Sequence, residues 1–480
     1  MNLPLLLRIL GALSLFLAAA LLVPVPFSLY FHDGAWSAFV LAAAVCLTLG
    51  GVLFRAFPTR REISVREGFA VVTLGWSLYA LLGALPFVFC GSIPSVLDAV
   101  FETMSGFTTT GASILTDIEA LPESILLWRS FTQWLGGMGI IVLSLAILPM
   151  LGVGGMQLFK AEVPGPTADR LKPRIQDTAK LLWEVYLLLT VAQVVLLVLG
   201  GMSFFDSLCH AFSTLSSGGF SPRNASMGAY DSAYLQWIVT LFMFLAGVNF
   251  SLHYYMLRGR PRELLRNEEL RIYAGITLVA IAILVFTNQG DIYQSFSENL
   301  RHSAFQVASI LTTTGFATAD YEKWPLLNQY ILVSLMFIGG CAGSTAGGIK
   351  VARILLLFKH AHVQIYRLIH PRAVRLVKLG ERPVDKDVMQ SILGFFALFI
   401  GIFVVASLLM AASGMDLVSG GAAVIATLGN VGPGLGSVGP VDNYAHVSPF
   451  GKSVLIACML LGRLELFTVL VLFFPTFWRK

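Results

Sequence analysis

Four short turns that each end in glycine recur along the chain. Backbone carbonyl groups from several loops can together replace the hydration shell of a dehydrated monovalent cation. Glycine allows positive φ without a Cβ clash, and Thr or Ser hydroxyl groups can add oxygen ligands. The residues that could form such a cation filter are Thr109, Thr110, Gly111, Ala112, Ser217, Gly218, Gly219, Phe220, Thr313, Thr314, Gly315, Phe316, Asn430, Val431, Gly432 and Pro433. We predict that a monovalent cation of the size of potassium binds at Thr110, Gly111, Gly218, Gly219, Thr314, Gly315, Val431 and Gly432.

The four turns occur in a common sequence register. The residues six places before the four glycines are Ser105, Ser213, Ser309 and Ala426, and those nine places before are Glu102, His210, Gln306 and Ala423. A glycine after Ser or Thr is ordinary in any single loop, but turns in register indicate an internal repeat. The polar residues of the second set either tune the outer mouth or, as we favour, hydrogen-bond their own loops.

The composition is that of a polytopic membrane protein. Of 480 residues, 56% are hydrophobic and 12% are charged, with a mean hydropathy of +0.78, whereas soluble domains carry about 25% charged residues. Five widely spaced cysteines form no metal or disulfide pattern. The sequence also lacks zinc-protease, phosphate-loop and nucleophile-elbow motifs, so we predict that the protein is not an enzyme.

Ten apolar segments approach the length of about 20 residues that crosses a bilayer. They fall near 5–30, 36–55, 68–90, 125–150, 179–202, 233–257, 271–287, 327–358, 389–412 and 450–476. The first is too long for a secretory signal, and we interpret it as a retained helix. Four shorter apolar runs precede the glycine turns, near 95–107, 204–215, 297–310 and 415–427. These predict re-entrant half-helices, because irregular backbone at membrane depth must be buried in protein or line an aqueous cavity.

The distribution of charge predicts the orientation. Of the 32 Lys and Arg residues, 26 lie at the chain ends and in the loops 55–67, 158–180, 258–271 and 350–387. The positive-inside rule places these loops and both termini in the cytoplasm, so the re-entrant segments enter from outside. The outer side carries 14 acids and five bases. This excess of negative charge would attract cations to the mouth. Part of it is also explained as the counterpart of the basic cytoplasmic side.

These features predict an all-α membrane protein of four helix–pore-loop–helix repeats around one pore, preceded by two extra transmembrane helices. The predicted units are 1–66 for the leading pair and 67–157, 158–258, 259–382 and 383–480 for the four repeats. All four repeats run in the same orientation.

Two further features lie in the apolar segments. The glycine-rich stretch 339–350 must interrupt its helix and is either a gate or a small-residue packing face. Its predicted gate residues are Gly340, Gly343, Ser344, Thr345, Gly347, Gly348 and Lys350, and Lys350 could face the path or extend to the cytoplasmic surface. We place Arg463 near the centre of the last helix, where a charge is a functional candidate or a partner of Glu465.

The turns, the glycine-rich stretch and Arg463 together resemble the TrkH/TrkG/KtrB family of potassium-uptake proteins, in the superfamily that includes plant HKT transporters, over essentially the full length. The resemblance implies that Gly111, Gly219, Gly315 and Gly432 line a filter, that 339–350 forms an intramembrane gate below it, and that Arg463 faces the pore. Serine at the first position accompanies sodium transport in HKT relatives, so Gly111 implies potassium. The fourth turn departs most from Thr-Thr-Gly.

The resemblance also implies partners and location. The chain is expected to form a homodimer in which each protomer has its own pore. Its expected partner is a TrkA-like or KtrA-like cytoplasmic ring that binds NAD(H) or ATP/ADP, and its expected location is the bacterial inner membrane. The sequence therefore favours gated potassium uptake. A sodium- or proton-coupled secondary transporter with a midplane site stays open as the alternative, although such folds often use inverted repeats.

Overall fold

The computed structural model describes residues 1–57, 64–139, 175–373, 375–380 and 382–479. These ranges are mostly helical, with one small antiparallel hairpin, β1 (Lys378–Leu379) and β2 (Arg382–Pro383). The predicted all-α fold is confirmed. The end of the fourth predicted segment and the basic loop 158–174 lie outside the described residues.

The helices follow the order expected from hydropathy. The leading part of the chain forms α1 (Leu3–Leu21), α2 (Val25–Phe31) and α3 (Trp36–Ala56). The first repeat contains α4 (Val65–Gly83), α5 (Leu85–Phe89), α6 (Val96–Phe107) and α7 (Glu123–Gly137). The second contains α8 (Ile175–Leu199), α9 (Phe204–Leu215), α10 (Ala233–Ala246) and α11 (Phe250–Leu257). The third contains α12 (Arg262–Arg266), α13 (Glu268–Asn288), α14 (Phe296–Leu311), α15 (Leu326–Ile338) and α16 (Val351–Ile369). The last contains α17 (Lys386–Ala412), α18 (Leu417–Leu428), α19 (Pro449–Arg463), α20 (Phe467–Leu470) and α21 (Pro475–Trp478).

Within the described ranges, six helices are long and apolar enough to cross a membrane. The number rises to eight if each of two sharply bent helix pairs is one span. Ten spans stay a prediction, because the fourth predicted segment continues beyond the described residues.

The short helices before the turns match their predicted bounds closely. They are α6, α9, α14 and α18, which contain 12, 12, 16 and 12 residues. Side chains of Ser95, Ser203 and Asp416 cap three of them by accepting backbone N–H groups of the first turn, which satisfies donors that lack intrahelical partners. Three of the four helices therefore begin at a cap residue that is visible in the sequence, whereas Ser295 before α14 makes no such bond.

The helix that follows each turn ends after 13 to 15 residues. These second helices are α7, α10, α15 and α19. The chain then bends by 104° between α10 and α11 and by 112° after α19. The predicted apolar segments 233–257 and 450–476 are therefore each broken into separate helices. The prediction that Arg463 lies near the centre of the last helix is wrong, because it is the last residue of α19.

Different local features cause the two bends. Asn249 caps α11, and its side chain accepts the Ser251 N–H at 2.8 Å. After α19, Glu465 and Leu466 both have positive φ, 58° and 49°, a conformation that is strained for such residues. The eighth predicted segment is broken as expected: α15 ends at Ile338 and α16 begins at Val351.

The leading helices pack outside the repeats. A Cβ on Gly11 would lie 2.9 Å from the Gly50 carbonyl oxygen, and one on Gly50 would lie 2.8 Å from that of Gly11. Two glycines thus let α1 and α3 approach closely, as small residues do between membrane helices. The Tyr79 hydroxyl of α4 donates to the Leu13 carbonyl at 3.0 Å and ties this pair to the first repeat.

Candidate functional site

Each re-entrant helix ends in the same backbone motif. The residue two places before the turn glycine has positive φ in all four repeats: 53° at Thr109, 56° at Ser217, 57° at Thr313 and 54° at Asn430. The N–H of the following residue donates five residues back along the chain, at 2.8–2.9 Å. This is the Schellman helix ending, which normally places glycine or asparagine in the left-handed position. Thr and Ser there are uncommon, and such strain concentrates at functional sites.

The hydrogen-bond acceptors of this motif are the residues of the first sequence column. They are the carbonyl oxygens of Ser105, Ser213, Ser309 and Ala426. This column could be detected in the sequence because a small residue, Ser or Ala, recurs at the position that accepts the hydrogen bond of the Schellman motif.

The turn glycines follow with φ of 84°, 77°, 82° and 103° at Gly111, Gly219, Gly315 and Gly432. Each faces a carbonyl oxygen of the next turn. A Cβ on any of them would overlap the oxygen that it faces; the closing contact, between Gly432 and Thr110, would measure 2.7 Å. The other three oxygens are those of Gly218, Thr314 and Val431.

These contacts form a closed ring that runs in chain order from the first turn to the fourth and back to the first. Glycine is required at every position for two independent reasons, positive φ and the neighbouring carbonyl. The predicted convergence of four repeats around one axis is therefore confirmed. Which carbonyl oxygens hold a cation stays a prediction.

A cavity of about 90 Å³ lies on one side of the ring and contains all four turn glycines in its lining. The loops after the turns surround it and are fixed by polar contacts. Tyr444 donates to the Gly432 carbonyl at 2.8 Å, and Tyr321 donates to the Gly434 carbonyl at 2.8 Å. Burial raises the pKa of Glu322, whose carboxylate accepts the Gly436 N–H at 2.5 Å.

The polar residues nine places before the glycines bond to their own loops, as expected. Glu102 accepts the Ile114 N–H at 3.0 Å. His210 Nε2 lies 3.1 Å from Ser221 Oγ, and Gln306 donates to the Ala319 carbonyl at 3.1 Å. These residues support the segments that follow the turns.

The two ends of the glycine-rich stretch between α15 and α16 are joined by backbone hydrogen bonds, and we call this pairing of residues 337–340 with 349–351 the neck. The N–H groups of Ile349, Lys350 and Val351 donate to the carbonyls of residues 337, 338 and 340 at 2.9–3.1 Å. The stretch between the two sides of the neck, which we name the intramembrane loop (residues 341–348), packs against the ends of the re-entrant helices.

The intramembrane loop contacts the strained residues of two turns. The Gly347 N–H donates to Thr313 Oγ1 at 2.6 Å, and the Ser217 and Thr345 hydroxyl oxygens are 2.9 Å apart. In addition, the Gly348 N–H donates to the Gly429 carbonyl at 3.0 Å. The loop therefore lies against the ends of the re-entrant helices at residues 217, 313 and 429.

A second cavity, of about 100 Å³, lies beyond this loop, between it and the end of α19. Arg463, Lys350 and Glu465 line it. Arg463 donates to the Thr345 carbonyl at 2.9 Å and to those of Gly136 and Gly137 at 2.6 and 3.0 Å. The helix packs tightly at Gly136, since a Cβ there would overlap the Phe107 carbonyl.

Lys350 is only 4% exposed, and its ammonium group donates to the Ala346 carbonyl within the loop. The alternative that it extends to the cytoplasmic surface is wrong. The ion pair of Arg463 with Glu465 is also wrong, because Glu465 pairs with Arg353. Arg463 and Lys350 thus each donate to a backbone carbonyl of the intramembrane loop.

The sequence analysis missed Glu269, which lies at the start of α13. Its Oε1 accepts the N–H groups of Ala342 and Ala352, at 2.7 and 3.0 Å, and so joins the start of the intramembrane loop to the start of α16. The only signal of this role in the sequence is an acidic residue at the start of an apolar segment. The partners of Glu269 are backbone N–H groups, which leave no pattern in the sequence.

Comparison with known proteins gives one consistent result. The TrkH family model, described as a cation transport protein, matches residues 35–480. The Trk system potassium uptake protein TrkH of Salmonella typhimurium is 46% identical, covering 98% of this chain and 99% of the relative. The Trk system potassium uptake protein TrkG of Escherichia coli is 35% identical, covering 98% and 97%.

A solved structure agrees with these relatives. The crystal structure of the potassium transporter TrkH from Vibrio parahaemolyticus superposes with a TM-score of 0.90, at 40% identity and full coverage of both chains. The matched proteins are named for transport, which confirms the prediction that the chain is not an enzyme.

Proposed function

Because the chain belongs to the TrkH family of cation transport proteins, we propose that it takes up potassium across the bacterial inner membrane through the ring of four turns. The observation that carries the proposal is the closed cycle in which each turn glycine faces a carbonyl of the next turn. A ring of this kind brings main-chain oxygens from four loops to one axis. An inside-negative potential drives a cation inward by about 2.3 kcal/mol per charge per 100 mV.

Selectivity in this proposal comes from the turn backbone. Potassium loses its water only where several oxygens replace it. The turns supply carbonyl oxygens, and their strained Thr, Ser and Asn residues add side-chain oxygens on the side of the intramembrane loop. The fourth turn, with Asn430 and Pro433, makes the ring chemically unequal, so it need not discriminate as a fourfold-identical filter does.

Gating in this proposal is performed by the intramembrane loop. The loop lies across the ring, and Arg463 lies beside it with a positive charge that opposes a cation. Opening must break the bonds from Thr313 and Ser217 to the loop. The glycines of the loop supply the backbone freedom that such a movement needs.

Regulation is proposed to come from a separate cytoplasmic ring that binds NAD(H) or ATP/ADP, acting on a homodimer of this chain. The basic stretches and both termini would face the cytoplasm. Helix α16 supports this route, because it begins at the neck of the intramembrane loop and continues to exposed residues near Arg367. A partner that moves α16 would move the gate.

The alternative function is a sodium- or proton-coupled secondary transporter with a midplane site. The sharp bends after α10 and α19 favour it, since such transporters use broken helices at the binding site. The same orientation of the four repeats favours conduction.

Flux into proteoliposomes separates the two. We expect rubidium and potassium uptake that exceeds sodium uptake, at rates above about 10⁶ ions per second, because rocking motions take microseconds or longer. Uptake that is slower, and that follows an imposed proton or sodium gradient, would favour the transporter. Liposomes without protein provide the baseline.

A further inference from the structure

The second helices, which follow the four turns, can be aligned by numbering the residues of each helix from its first residue. The eleventh residue is Gln133 in α7 but methionine in α10, α15 and α19, namely Met243, Met336 and Met459. The seventh is Arg129 in α7 but Val239, Leu332 and Leu455 in the others. All eight side chains are buried. One repeat thus has two polar groups where three have apolar packing.

Gln133 bonds to the second turn on both sides of its glycine. Its Nε2 donates to the Gly218 carbonyl at 2.7 Å, and its Oε1 accepts the Phe220 N–H at 3.0 Å. A Cβ on Gly218 would overlap the carboxamide of Gln133. The other turns have Thr110, Thr314 and Val431 at this position. The additional glycine of the second turn therefore makes room for Gln133.

Arg129 lies one helical turn before Gln133 on the same face and holds the next part of the same loop. Its Nη1 donates to the Ser221 carbonyl at 3.2 Å, and its guanidinium lies 4.2 Å from the Phe220 ring centroid. Its Nε donates to Glu102 at 2.8 Å. Both charged side chains are at most 1% exposed.

A buried ion pair of this kind is not needed by the repeat itself. Removing two charges from water costs several kcal/mol per ion before their attraction offsets it. The fourth repeat has Ala423 and Leu455 at the equivalent positions, and both are buried. The fold therefore tolerates an apolar pair at these positions, and the charged pair calls for a local explanation.

We propose that Gln133 and Arg129, with Glu102, form a clamp that positions residues 218–221 and thereby sets the preference for potassium over sodium. The inference rests on the proposed function. The Gly218 carbonyl lies between the Gln133 amide and Gly111, so the clamp fixes one edge of the ring. A ring held open at a potassium-sized diameter resists contraction around the smaller sodium ion.

The test is the substitution Gln133→Met, which introduces the residue found in the other three repeats. It leaves the Gly218 carbonyl and the Phe220 N–H without their partners. We expect the potassium-to-sodium permeability ratio, measured from reversal potentials in planar bilayers, to fall about fivefold, which corresponds to the ~1 kcal/mol of a typical hydrogen bond. The matched control is Met336→Leu, at the position of α15 that is equivalent to Gln133 and lies next to the fourth turn. We expect this variant to leave the permeability ratio unchanged.

A second substitution covers failure of the first to fold. Arg129→Lys keeps the charge next to Glu102 but loses the planar group that both stacks on Phe220 and reaches Ser221. It should lower the same ratio. Adding Gly218→Thr to Gln133→Met should restore folding, because it introduces the residue that the first and third turns have at this position. Wild-type ratios in well-folded Gln133→Met and Arg129→Lys proteins would overturn the clamp while leaving potassium uptake intact. A wild-type protein that conducts no potassium would instead overturn the proposed function.

Discussion

The guanidinium of Arg463 donates a hydrogen bond to the carbonyl oxygen of Thr345 at 2.9 Å. The same side chain also bonds the carbonyls that end α7. It therefore joins the intramembrane loop to the first and fourth repeats from one position. The bond explains why an arginine is found at a helix end deep in an apolar segment.

Replacing Arg463 by alanine should raise basal potassium flux about tenfold, because it removes both a positive charge beside the path and charge-assisted bonds worth about 1.5–3 kcal/mol each. Fluorescence flux assays in proteoliposomes measure this. The control is Arg258→Ala, at an exposed arginine. Flux equal to that of the wild type in both variants would assign Arg463 to packing alone.

Replacing Gly111 by serine should lower the potassium-to-sodium permeability ratio. The new Cβ would displace the Gly218 carbonyl and would also be strained at φ of 84°. Gly91→Ser is a matched control, since Gly91 has φ of 75° but no atom within 4 Å of the added Cβ. If both variants keep the wild-type reversal potential, Gly111 does not shape the filter.

Replacing Thr345 by valine should increase basal flux severalfold. The substitution keeps the shape of the side chain but removes the hydroxyl that contacts Ser217 at 2.9 Å and donates to the Leu215 carbonyl at 2.9 Å. Thr345→Ser, which keeps the hydroxyl, should behave like the wild type. Equal flux from the valine and serine variants would mean that these bonds do not hold the loop closed.

Deleting residues 343–347 should give the largest basal flux of any of these variants. The deletion removes the part of the intramembrane loop that contacts the turns but keeps the hydrogen bonds of its neck at residues 349–351. Flux is compared with the wild type at matched protein amounts, after thermal unfolding confirms a folded protein. A folded deletion variant that conducts no more than the wild type would show that the loop does not occlude the path.

The repeats could be predicted from the sequence because their signals are local. Cap residues such as Ser95 and Asp416 start the re-entrant helices, and positive φ near the glycines ends them. The interruption at 339–350 was also visible, since a glycine cluster cannot sustain a helix. In each case the residues that decide the structure are neighbours in the chain.

The features that were missed depend on tertiary contacts. The break after Arg463 occurs at Glu465 and Leu466, which carry no sequence signal of positive φ. Gln133 has no special local pattern, and only a comparison of the second helices, where methionine occupies the other three positions, distinguishes it. Arg129 is one of the five bases that the charge distribution assigns to the outer side. Burial and partners decide the roles of such residues, and neither can be read from one segment.

The central claim is that the four turns surround a single potassium path. Crystals of the protein soaked with thallium or rubidium, and measured for anomalous scattering, test it most directly. The account predicts anomalous density on the axis enclosed by Gly111, Gly219, Gly315 and Gly432, which decreases when potassium is added in excess. Well-ordered turns with no density between them at saturating ion, or density only at another place in the membrane region, would contradict it.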